Sequence, residues 1–506
     1  MHYTSKLTPA AIAVLLAAAT LTGGCGRAPD TEKSEHGAAA AAVEFANQLR
    51  AKVTADAMMG HLHKLQEIAD ANNNTRALGT KGYDASVDYV ADTLREHGFD
   101  VQTPEFTARV FNAETGSLAL AGQTIEARAL QFSIGTPPDG VAGPLVAAPA
   151  KDDTPGCSAS DYDKLPVRGA VVLVDRGSCP FKDKLAVAEQ RGAVALIIAD
   201  NVDQEKMGGT LGETTEVKIP VVSVTKADGA ALRDLPADKK ADVRVKLDAH
   251  TDDIPSRNVI AQTKTGATDN VVMLGAHLDS VPEGPGINDN GSGVAAVLET
   301  ALQLGNSPQI RNAVRFGFWG AEERGLIGST KYVQSLDVDA LKDIALYMNF
   351  DMLGSPNPGY FTYDGDQSLA PDKRGQPVVP EGSAGIERTL VAYLDSAGKT
   401  AQDTSFDGRS DYDAFTLAGV PSGGLFSGAE VKKTDEEAKL WGGTAGEPFD
   451  ENYHQKGDTV EHIDRDELGI NGAGAAYAAG LYAQDLGGRN GVPVRDDRTR
   501  HVVAKP

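Results

Sequence analysis

Imidazole and carboxylate side chains follow three apolar runs of this sequence at the points where those runs end. They are His277 and Asp279 after residues 271–276, Glu322 and Glu323 after 314–319, and Asp351 after 344–350. Such nitrogen and oxygen donors bind divalent cations, and the mixed set suits zinc, with manganese or cobalt as substitutes. A bare carboxylate cluster would repel itself, whereas two cations about 3.5–4 Å apart can share one carboxylate and activate one water. The pattern therefore predicts a metal centre.

The three apolar runs are predicted to be buried strands separated by helices. Helices are predicted over 294–304 and from near Leu326, and this alternation indicates a mostly parallel sheet covered by helices. Because ligands of such sheets bind in the crevice at the carboxyl ends of the strands, we expect the metal-binding side chains to converge at one edge. Asp289 precedes the first helix in the run Asp-Asn-Gly-Ser-Gly, whose glycines would let the backbone approach that edge closely.

Two regions with other patterns precede these strands. Apolar residues at helical spacing predict amphipathic helices around 58–69 and 87–94. His61 and His63 lie on the first of these helices, and we expect them at the surface because no carboxylate or cysteine partner is near. From about residue 132 to 248, short β-branched runs alternate with turn residues, which predicts a small self-contained β-rich domain.

Five ordered motifs resemble those of the M28 metallopeptidases, in the aminopeptidase branch of that family. They are His277-Leu278-Asp279-Ser280, Asn288-Asp289-Asn290-Gly291-Ser292-Gly293, Trp319-Gly320-Ala321-Glu322-Glu323, Asn349-Phe350-Asp351-Met352 and Tyr453-His454-Gln455. The resemblance covers roughly residues 51–133 and 255–487. It implies the zinc exopeptidase fold, a mixed, mostly parallel α/β sheet flanked by helices, and two zinc ions per chain.

The resemblance also implies which residues bind the metal ions. Asp289 would bridge both zinc ions, His277 and Asp351 would complete the first site, and Glu323 and His454 would complete the second. Mixed histidine and carboxylate ligation of this kind is typical of zinc in proteins.

Three other motif residues would act without binding metal. Glu322 would be the general base that takes a proton from the bridging water, because a base must keep its lone pairs free of the metal. Asp279 would orient the imidazole of His277. Tyr453 would donate a hydrogen bond to the oxyanion of the tetrahedral intermediate.

Two further stretches resemble the part of the aminopeptidase branch that lines the substrate cleft. Gly408 and Arg409 belong to the first and Phe426 to the second; for Phe426, packing in the core is an equal alternative. Relatives often carry a disulfide beside the loop of His454, but this chain lacks cysteines there. We therefore expect packing and metal alone to fix that loop.

The β-rich region resembles a protease-associated (PA) domain. The resemblance rests on Gly156-Cys157, Val167-Arg168-Gly169, the run 174–181 and the run 188–193. Such a domain is thought to influence substrate access. Cys157 and Cys179 flank its first strand, and in an oxidising compartment we expect them to form a disulfide.

The N-terminal 25 residues are predicted to be a targeting segment. Lys6 is followed by an apolar run, Ala10 to Leu21, that is short for a membrane span. The run ends before Cys25 in a sequence that resembles a lipobox, although Thr22 replaces the usual leucine. The alternatives are a lipoprotein acylated at Cys25 and an ordinary signal peptide. Both place the protein outside the cytoplasm, either membrane-anchored in the periplasm or at the cell surface, or secreted.

Charge excludes one class of partner. The 506 residues carry a formal net charge of −23, and a nucleic-acid partner would require a basic face. Calcium is a further candidate cofactor for the surplus carboxylates.

The predicted domain organisation has six segments. They are a signal peptide (1–25), a flexible tether (26–45), a first catalytic part (46–132), the PA insertion (133–250), a second catalytic part (251–487) and a disordered tail (488–506). The predicted function is removal of N-terminal residues, apolar ones such as leucine, from peptides or proteins. The alternatives are a carboxypeptidase of the same superfamily, which would need basic residues for a C-terminal carboxylate, and a metal-free receptor, which should lack ligands or the base.

Overall fold

The structure is a computed structural model that describes residues 29–120, 122–149, 153–204, 207–236, 242–371, 379–487 and 491–504. The predicted targeting segment, with Cys25, lies outside the described residues. The chain divides into two units, Met1–Ala41 and Ala42–Pro506, and the sheets described below belong to the second.

Helix α1, Pro29–Arg50, occupies most of the segment predicted to be a flexible tether. The prediction of a tether over 26–45 is therefore wrong in the described part of that segment. Residues 38–42 are all alanine, the residue with the highest helix propensity. Within the second unit, Ala42 and Ala46 are buried and pack against Leu481.

The remaining helices of the described chain include those predicted around 58–69, 87–94 and 294–304 and from near Leu326. They are α2 Ala55–Asp70, α3 Lys81–Glu96, α4 Phe181–Gln190, α5 Lys226–Asp234, α6 Gly293–Leu304, α7 Ile327–Gln334, α8 Val338–Asp343, α9 Ser383–Ser396, α10 Tyr412–Leu417, α11 Asp435–Trp441 and α12 Arg465–Gln484. Side-chain N-caps begin several of them: Thr54 begins α2, Thr80 begins α3 and Asp464 begins α12. Each cap accepts a hydrogen bond from a backbone N–H of the first turn that would otherwise lack a partner.

The strands form two larger sheets and a ribbon. They are β1 Asp100–Gln102, β2 Glu105–Ala113, β3 Gly116–Leu120, β4 Gln123–Ala129, β5 Val141–Gly143, β6 Leu145–Ala147, β7 Val171–Asp175, β8 Ala195–Ala199, β9 Val221–Val224, β10 Val243–Lys246, β11 Ala249–Arg257, β12 Val259–Gln262, β13 Ala267–His277, β14 Asn312–Trp319, β15 Ile344–Phe350, β16 Phe361–Tyr363, β17 Gln402–Thr404 and β18 Ser422–Phe426.

The first sheet has the order β1-β12-β14-β13-β15-β18-β16-β17. Its centre is parallel, because β13 pairs with β14 and β15 and β15 pairs with β18 in the parallel sense, whereas β12 and β16 pair antiparallel with β14 and β18. Alternate residues of β13 enter different hydrophobic clusters: Val272 and Leu274 pack with α6 and α12, and Met273 packs on the opposite face. Burial of both faces is what a helix-covered parallel sheet requires. The predicted α/β fold class is confirmed.

The second sheet, with the order β5-β10-β3-β4-β9-β8-β7-β6, forms the β-rich insertion. The ribbon of β2 and β11 connects it to the first sheet over nine paired positions, from Glu105–Arg257 to Ala113–Ala249. The insertion starts at β3, Gly116–Leu120, earlier than the predicted boundary at residue 133. The early strands were missed because neither is continuously buried, unlike β7 and β8: β3 alternates between more and less buried positions, and β4 is mostly exposed or half-buried. A disulfide joins Cys157 to Cys179, whose Cα atoms are 6.4 Å apart.

The C-terminal segment is ordered where the structure describes it, so the prediction of a disordered tail over 488–506 is wrong for residues 491–504. Arg498 and Arg500 are buried. Their guanidinium groups donate to the backbone carbonyls of Lys342 and Ile344, which gives this polar segment a structural role that composition did not reveal. Among the described residues, no helix has both the length and the apolar character needed to cross a membrane.

Candidate metal centre

The carboxyl ends of three neighbouring parallel strands carry the predicted metal ligands. His277 is the last residue of β13, the pair Glu322 and Glu323 follows β14, and Asp351 follows β15 directly. Two loops complete the site. Asp289 lies in the irregular turn Ile287–Ser292 that precedes α6, and His454 lies in the turn between α11 and α12.

Each imidazole lies between two carboxylate oxygens. His277 Nε2 is 3.2 Å from Asp289 Oδ1 and 3.4 Å from Asp351 Oδ1. His454 Nε2 is 3.2 Å from Asp289 Oδ2 and 3.1 Å from Glu323 Oε2. Asp289 therefore presents a different oxygen to each imidazole and is common to both groups of donors.

These distances fit tetrahedral zinc coordination. Donor atoms about 2.0–2.2 Å from a tetrahedral zinc ion are separated from each other by about 3.3–3.6 Å, and the four nitrogen–oxygen distances given above are similar or slightly shorter. Glu323 Oε1 is also buried without a hydrogen-bond partner, and a buried polar atom of this kind requires a partner such as an ion. The residues of the site therefore fit a pair of zinc ions.

The electrostatics of the site also favour cations. Burial raises the pKa of Glu322 well above its usual range and that of Glu323 to about 7. Burial alone would lower the pKa of His454, but hydrogen bonds to Asp289 and Glu323 raise it to about 10. The protein without metal would thus hold protons where divalent cations could bind. Two ionised carboxylates about 4 Å apart repel each other by about 4 kcal/mol at an effective dielectric constant of 20, and either protons or cations relieve this repulsion.

Asp279, predicted to orient the imidazole of His277, contacts that imidazole through its main chain rather than its carboxylate. His277 Nδ1 lies 3.1 Å from the backbone carbonyl of Asp279 and 3.9 Å from its carboxylate. That carboxylate accepts hydrogen bonds from the backbone N–H groups of Glu322 and Glu323, at 3.1 and 3.3 Å. Asp279 therefore orients the imidazole through its main chain and the adjacent glutamates through its side chain.

The two adjacent glutamates both approach His277 but have different further neighbours: ligand atoms of Glu322, His277 and Asp351 lie within 4.8 Å of one another, and so do those of Glu323, His277 and Asp289. Glu322 lines a cavity of about 100 Å³ together with His277 and Tyr453, whereas Glu323 does not line it. The side chain of Glu323 is 6% exposed and faces His454. Glu322 is thus the glutamate that can contact a molecule in the cavity.

The predicted substrate-binding residues surround the same cavity. Arg409 and Phe426 line it, whereas Gly408 (φ 77°) does not line it but lies between the lining residues Asp407 and Arg409 in the sequence. Phe426 also packs against Phe361, with ring centroids 6.1 Å apart, so it both lines the cavity and joins the core. Arg409 donates to the Tyr453 hydroxyl at 3.3 Å.

Four more residues approach the site: Ser410 and Asp411 belong to the same stretch as Arg409, which resembles the cleft lining of the aminopeptidase branch, whereas Asp407 and Tyr363 were not predicted. Ser410 donates to Asp351 Oδ2 at 2.5 Å, and Asp411, which is buried, has a pKa raised by burial to about 7. Asp407 and Tyr363 also line the cavity.

Three residues at or next to predicted ligands or the predicted base adopt the left-handed backbone conformation that normally favours glycine. They are Ala321 (φ 60°), Met352 (φ 54°) and His454 (φ 57°). Such conformations cost about 1–3 kcal/mol each and are concentrated at functional sites.

The loop of His454 is held by more than packing and metal, so that prediction is wrong. Asp450 accepts a hydrogen bond from the Asn288 side chain at 2.7 Å, and Asp458 accepts one from the Asn288 backbone at 2.6 Å. These hydrogen bonds attach the loop directly to the turn that carries Asp289.

Two other predictions concern groups away from this centre. His61 is only partly exposed and lies 3.1 Å from the buried Glu299, so the expectation of a surface histidine without a carboxylate partner is wrong, because a helix distant in sequence supplies the partner. Asp364, Asp366 and Glu387 bring carboxylate oxygens within 4.8 Å of one another. Calcium binding stays a prediction.

Comparison with known proteins defines the class to which this fold and site belong. The family model for peptidase family M28 matches residues 258–479, and the model for the PA domain matches residues 141–232. The chain is 72% identical over 503 residues to the "Probable lipoprotein aminopeptidase LpqL" of Mycobacterium tuberculosis, and the matched region covers 99% of each protein. It is 41% identical to leucine aminopeptidase 2 of Arthroderma otae, over 91% of this chain and 90% of that protein. The chain belongs to peptidase family M28.

Solved structures agree with this assignment. An aminopeptidase from Aneurinibacillus sp. strain AM-1 superposes with a TM-score of 0.64 at 27% identity, over 87% of this chain and 96% of that chain. A zinc aminopeptidase from Bacillus subtilis superposes with a TM-score of 0.54 at 26% identity, over 87% and 98% of the two chains.

Proposed function

We propose that this protein is a two-zinc aminopeptidase that removes N-terminal residues from peptides. The observation that carries the proposal is the placement of two imidazoles, each 3.1–3.4 Å from two carboxylate oxygens, around the shared Asp289. The aminopeptidase names of its relatives support the same activity.

The ligand assignment is the one that the family resemblance implies, and these distances support it. Asp289 would bridge the two ions, with His277 and Asp351 on one and Glu323 and His454 on the other. Bound zinc would polarise the scissile carbonyl and make water acidic enough to be deprotonated near neutral pH.

Glu322 is the general base in this proposal. Its side chain lines the cavity, where it can take a proton from the attacking water and later deliver it to the leaving amine. Asp279 would hold the backbone of both glutamates. Because Glu323 faces His454 instead, the two neighbouring carboxylates can perform different tasks.

Tyr453 would stabilise the oxyanion of the tetrahedral intermediate by hydrogen bonding. Its hydroxyl lies 3.3 Å from Arg409 Nη2, and its ring stacks on His454 with centroids 3.8 Å apart. These contacts restrict the position of the hydroxyl before substrate binds, and preorganised donors are the effective ones.

Charge on the cavity wall favours an N-terminal over a C-terminal substrate. Arg409 is the one lysine or arginine among the described residues lining it, and Arg409 already pairs with Glu430 at 2.9 Å. A carboxypeptidase would need an available cation for the terminal carboxylate, whereas the acidic lining suits an α-ammonium group. Phe426 and Met352 would receive an apolar side chain such as that of leucine. A metal-free receptor is disfavoured because no predicted ligand is missing.

The proposed location is outside the cytoplasm, with Cys25 as the site of a lipid anchor or, alternatively, with secretion after removal of the targeting segment. The name of the Mycobacterium tuberculosis relative supports the lipoprotein.

A panel of substrates tests the activity. Purified protein is assayed with aminoacyl p-nitroanilides of leucine, phenylalanine, lysine and glutamate, with the N-acetylated leucine derivative, and with peptides blocked at either end. We expect hydrolysis of leucyl and phenylalanyl substrates, none of the acetylated one, and indifference to C-terminal amidation. Cleavage of N-blocked peptides that requires a free C-terminus would refute the aminopeptidase assignment.

A further inference from the structure

Asp458, four residues after His454, makes an unusual set of contacts with the turn that carries Asp289. Its carboxylate accepts hydrogen bonds from the backbone N–H groups of Asn288, at 2.6 Å, and Asp289, at 3.0 Å. Its backbone carbonyl accepts a third from Ile287, at 3.2 Å. One residue therefore binds three successive backbone N–H groups, the last of which belongs to Asp289 itself.

These contacts are fully inside the protein. Asp458 is 3% exposed, so both oxygens depend on the two N–H groups for solvation. Burial raises the pKa of Asp458 well above its usual range, and the backbone N–H groups of Asn288 and Asp289 oppose that shift. Removal of one partner of a buried hydrogen bond leaves the other partner unsatisfied, which costs about 1–3 kcal/mol. The turn of Asp289 is thus bound tightly to the loop of His454.

The surrounding structure leaves this connection little freedom to move. The Asn288 side chain donates to Asp450 at 2.7 Å, which attaches the start of the same loop to the same turn. At Gly284, an added Cβ would lie 2.2 Å from the backbone oxygen of Gln455, so the two backbones are in close contact.

Arg76 holds the other side of the same segment. The guanidinium group is completely buried and donates to the backbone carbonyls of Leu278, Pro285 and Gly286. Burial lowers the pKa of Arg76 to about 10, and nearby carboxylates, among them Asp458 and Asp279, oppose that shift. The segment from His277 to Asp289 is therefore held by a buried cation at one side and by Asp458 at the other.

We propose that Asp458 is a positioning residue of the metal centre, which sets the distance between the shared carboxylate of Asp289 and the imidazole of His454. This inference rests on the proposed two-zinc function. The three contacts link Asp289 and His454, which are far apart in sequence, and their side chains meet at 3.2 Å. Because Asp289 serves both ions, displacement of its backbone would disturb both sites.

The test is Asp458→Asn, with Glu451→Gln as matched control. Asparagine keeps the size of the side chain but replaces one acceptor oxygen with an NH2 donor, which must face a backbone N–H. Glu451 is an exposed carboxylate on the same loop, so its replacement removes the same charge without touching the turn. Zinc affinity is measured by competition with a chelating indicator, together with zinc content, far-UV circular dichroism and the zinc-dependent rise in Tm.

We expect Asp458→Asn to bind zinc about 10–100-fold more weakly than the wild type, as is typical when a residue supporting a metal ligand is replaced. Glu451→Gln should stay within about twofold. Zinc affinity of Asp458→Asn within twofold of wild type would overturn the inference. If Asp458→Asn folds only with saturating zinc, the inference is supported. If Asp458→Asn is unfolded both with and without zinc, the inference is overturned, because Asp458 is then needed for folding rather than for positioning the metal ligands. If the wild type itself bound no zinc, the proposed function would fail instead.

Discussion

Replacing each of the adjacent glutamates by glutamine separates the base from the ligand. Glu322→Gln and Glu323→Gln are the same chemical change at neighbouring positions, so each is the control for the other. Glu322 lines the cavity, whereas Glu323 faces His454 with an oxygen 3.1 Å from Nε2. The two variants should therefore fail in different ways.

For Glu322→Gln we expect kcat to fall by about 10²–10⁴-fold, the contribution of a positioned general base. At 1.36 kcal/mol per factor of ten, this is a rise of about 3–5 kcal/mol in the activation free energy. Because the proton transfer occurs only in the transition state, kcat and kcat/KM should fall together. The zinc content should stay near two per chain.

For Glu323→Gln we expect a loss of zinc. The second ion would keep Asp289 and His454 but lose a charged donor, so the zinc content after dialysis should approach one per chain. Excess zinc should restore part of the activity of this variant and none of the activity of Glu322→Gln.

The assays are steady-state hydrolysis of leucyl p-nitroanilide and zinc analysis by mass spectrometry on the same samples. If Glu322→Gln loses zinc while Glu323→Gln keeps both ions and only slows, the two roles are reversed. If Glu322→Gln keeps more than a tenth of wild-type kcat, a general base at this position is refuted.

Three further perturbations follow from the same contacts. Tyr453→Phe should lower kcat about 10²–10³-fold with little change in KM, as for loss of one oxyanion donor, whereas Tyr477→Phe on α12, away from the cavity, should leave kcat unchanged; equal effects of the two would contradict the role of Tyr453. Without metal, the folded-state pKa of Glu323 is about 7, above its usual 4.5. The protonated side chain therefore stabilises the fold fully below about pH 4.5. This stabilisation, about 3 kcal/mol at most, is lost as the pH rises through 7. Chemical denaturation at pH 5 and pH 8 should therefore show that zinc stabilises the protein more at pH 8, and a zinc effect independent of pH would count against protons replacing the metal. Reducing the disulfide between Cys157 and Cys179, which are separated by 22 residues, should lower the unfolding free energy of the insertion by about 3 kcal/mol in the chain-entropy model; an unchanged Tm after verified reduction would contradict that stabilisation.

The strands that carry the site could be predicted because they are buried on both faces. Each continuous apolar run ends just before the side chains of the site. For example, β15 ends at Phe350, and Asp351 follows it directly. The position of the site can therefore be predicted from the sequence pattern without any knowledge of tertiary contacts.

The contacts that support the ligands could not be predicted in the same way. Asp279 uses its carbonyl for His277 and its carboxylate for the glutamates, and Asp458 binds backbone N–H groups about 170 residues earlier. Such hydrogen bonds depend on how loops pack, not on the periodicity of any one segment. The ordered C-terminal segment was missed for a similar reason, since buried arginines bind backbone carbonyls that leave no compositional signal.

Zinc analysis of chelated and reloaded protein tests the central claim most directly. Protein dialysed against a chelator is titrated with zinc while activity and bound metal are measured together. The proposed centre predicts no activity without metal, and recovery that reaches its maximum at two zinc ions per chain. Full activity in verified metal-free protein, or a maximum at a single ion with no second binding site, would contradict it.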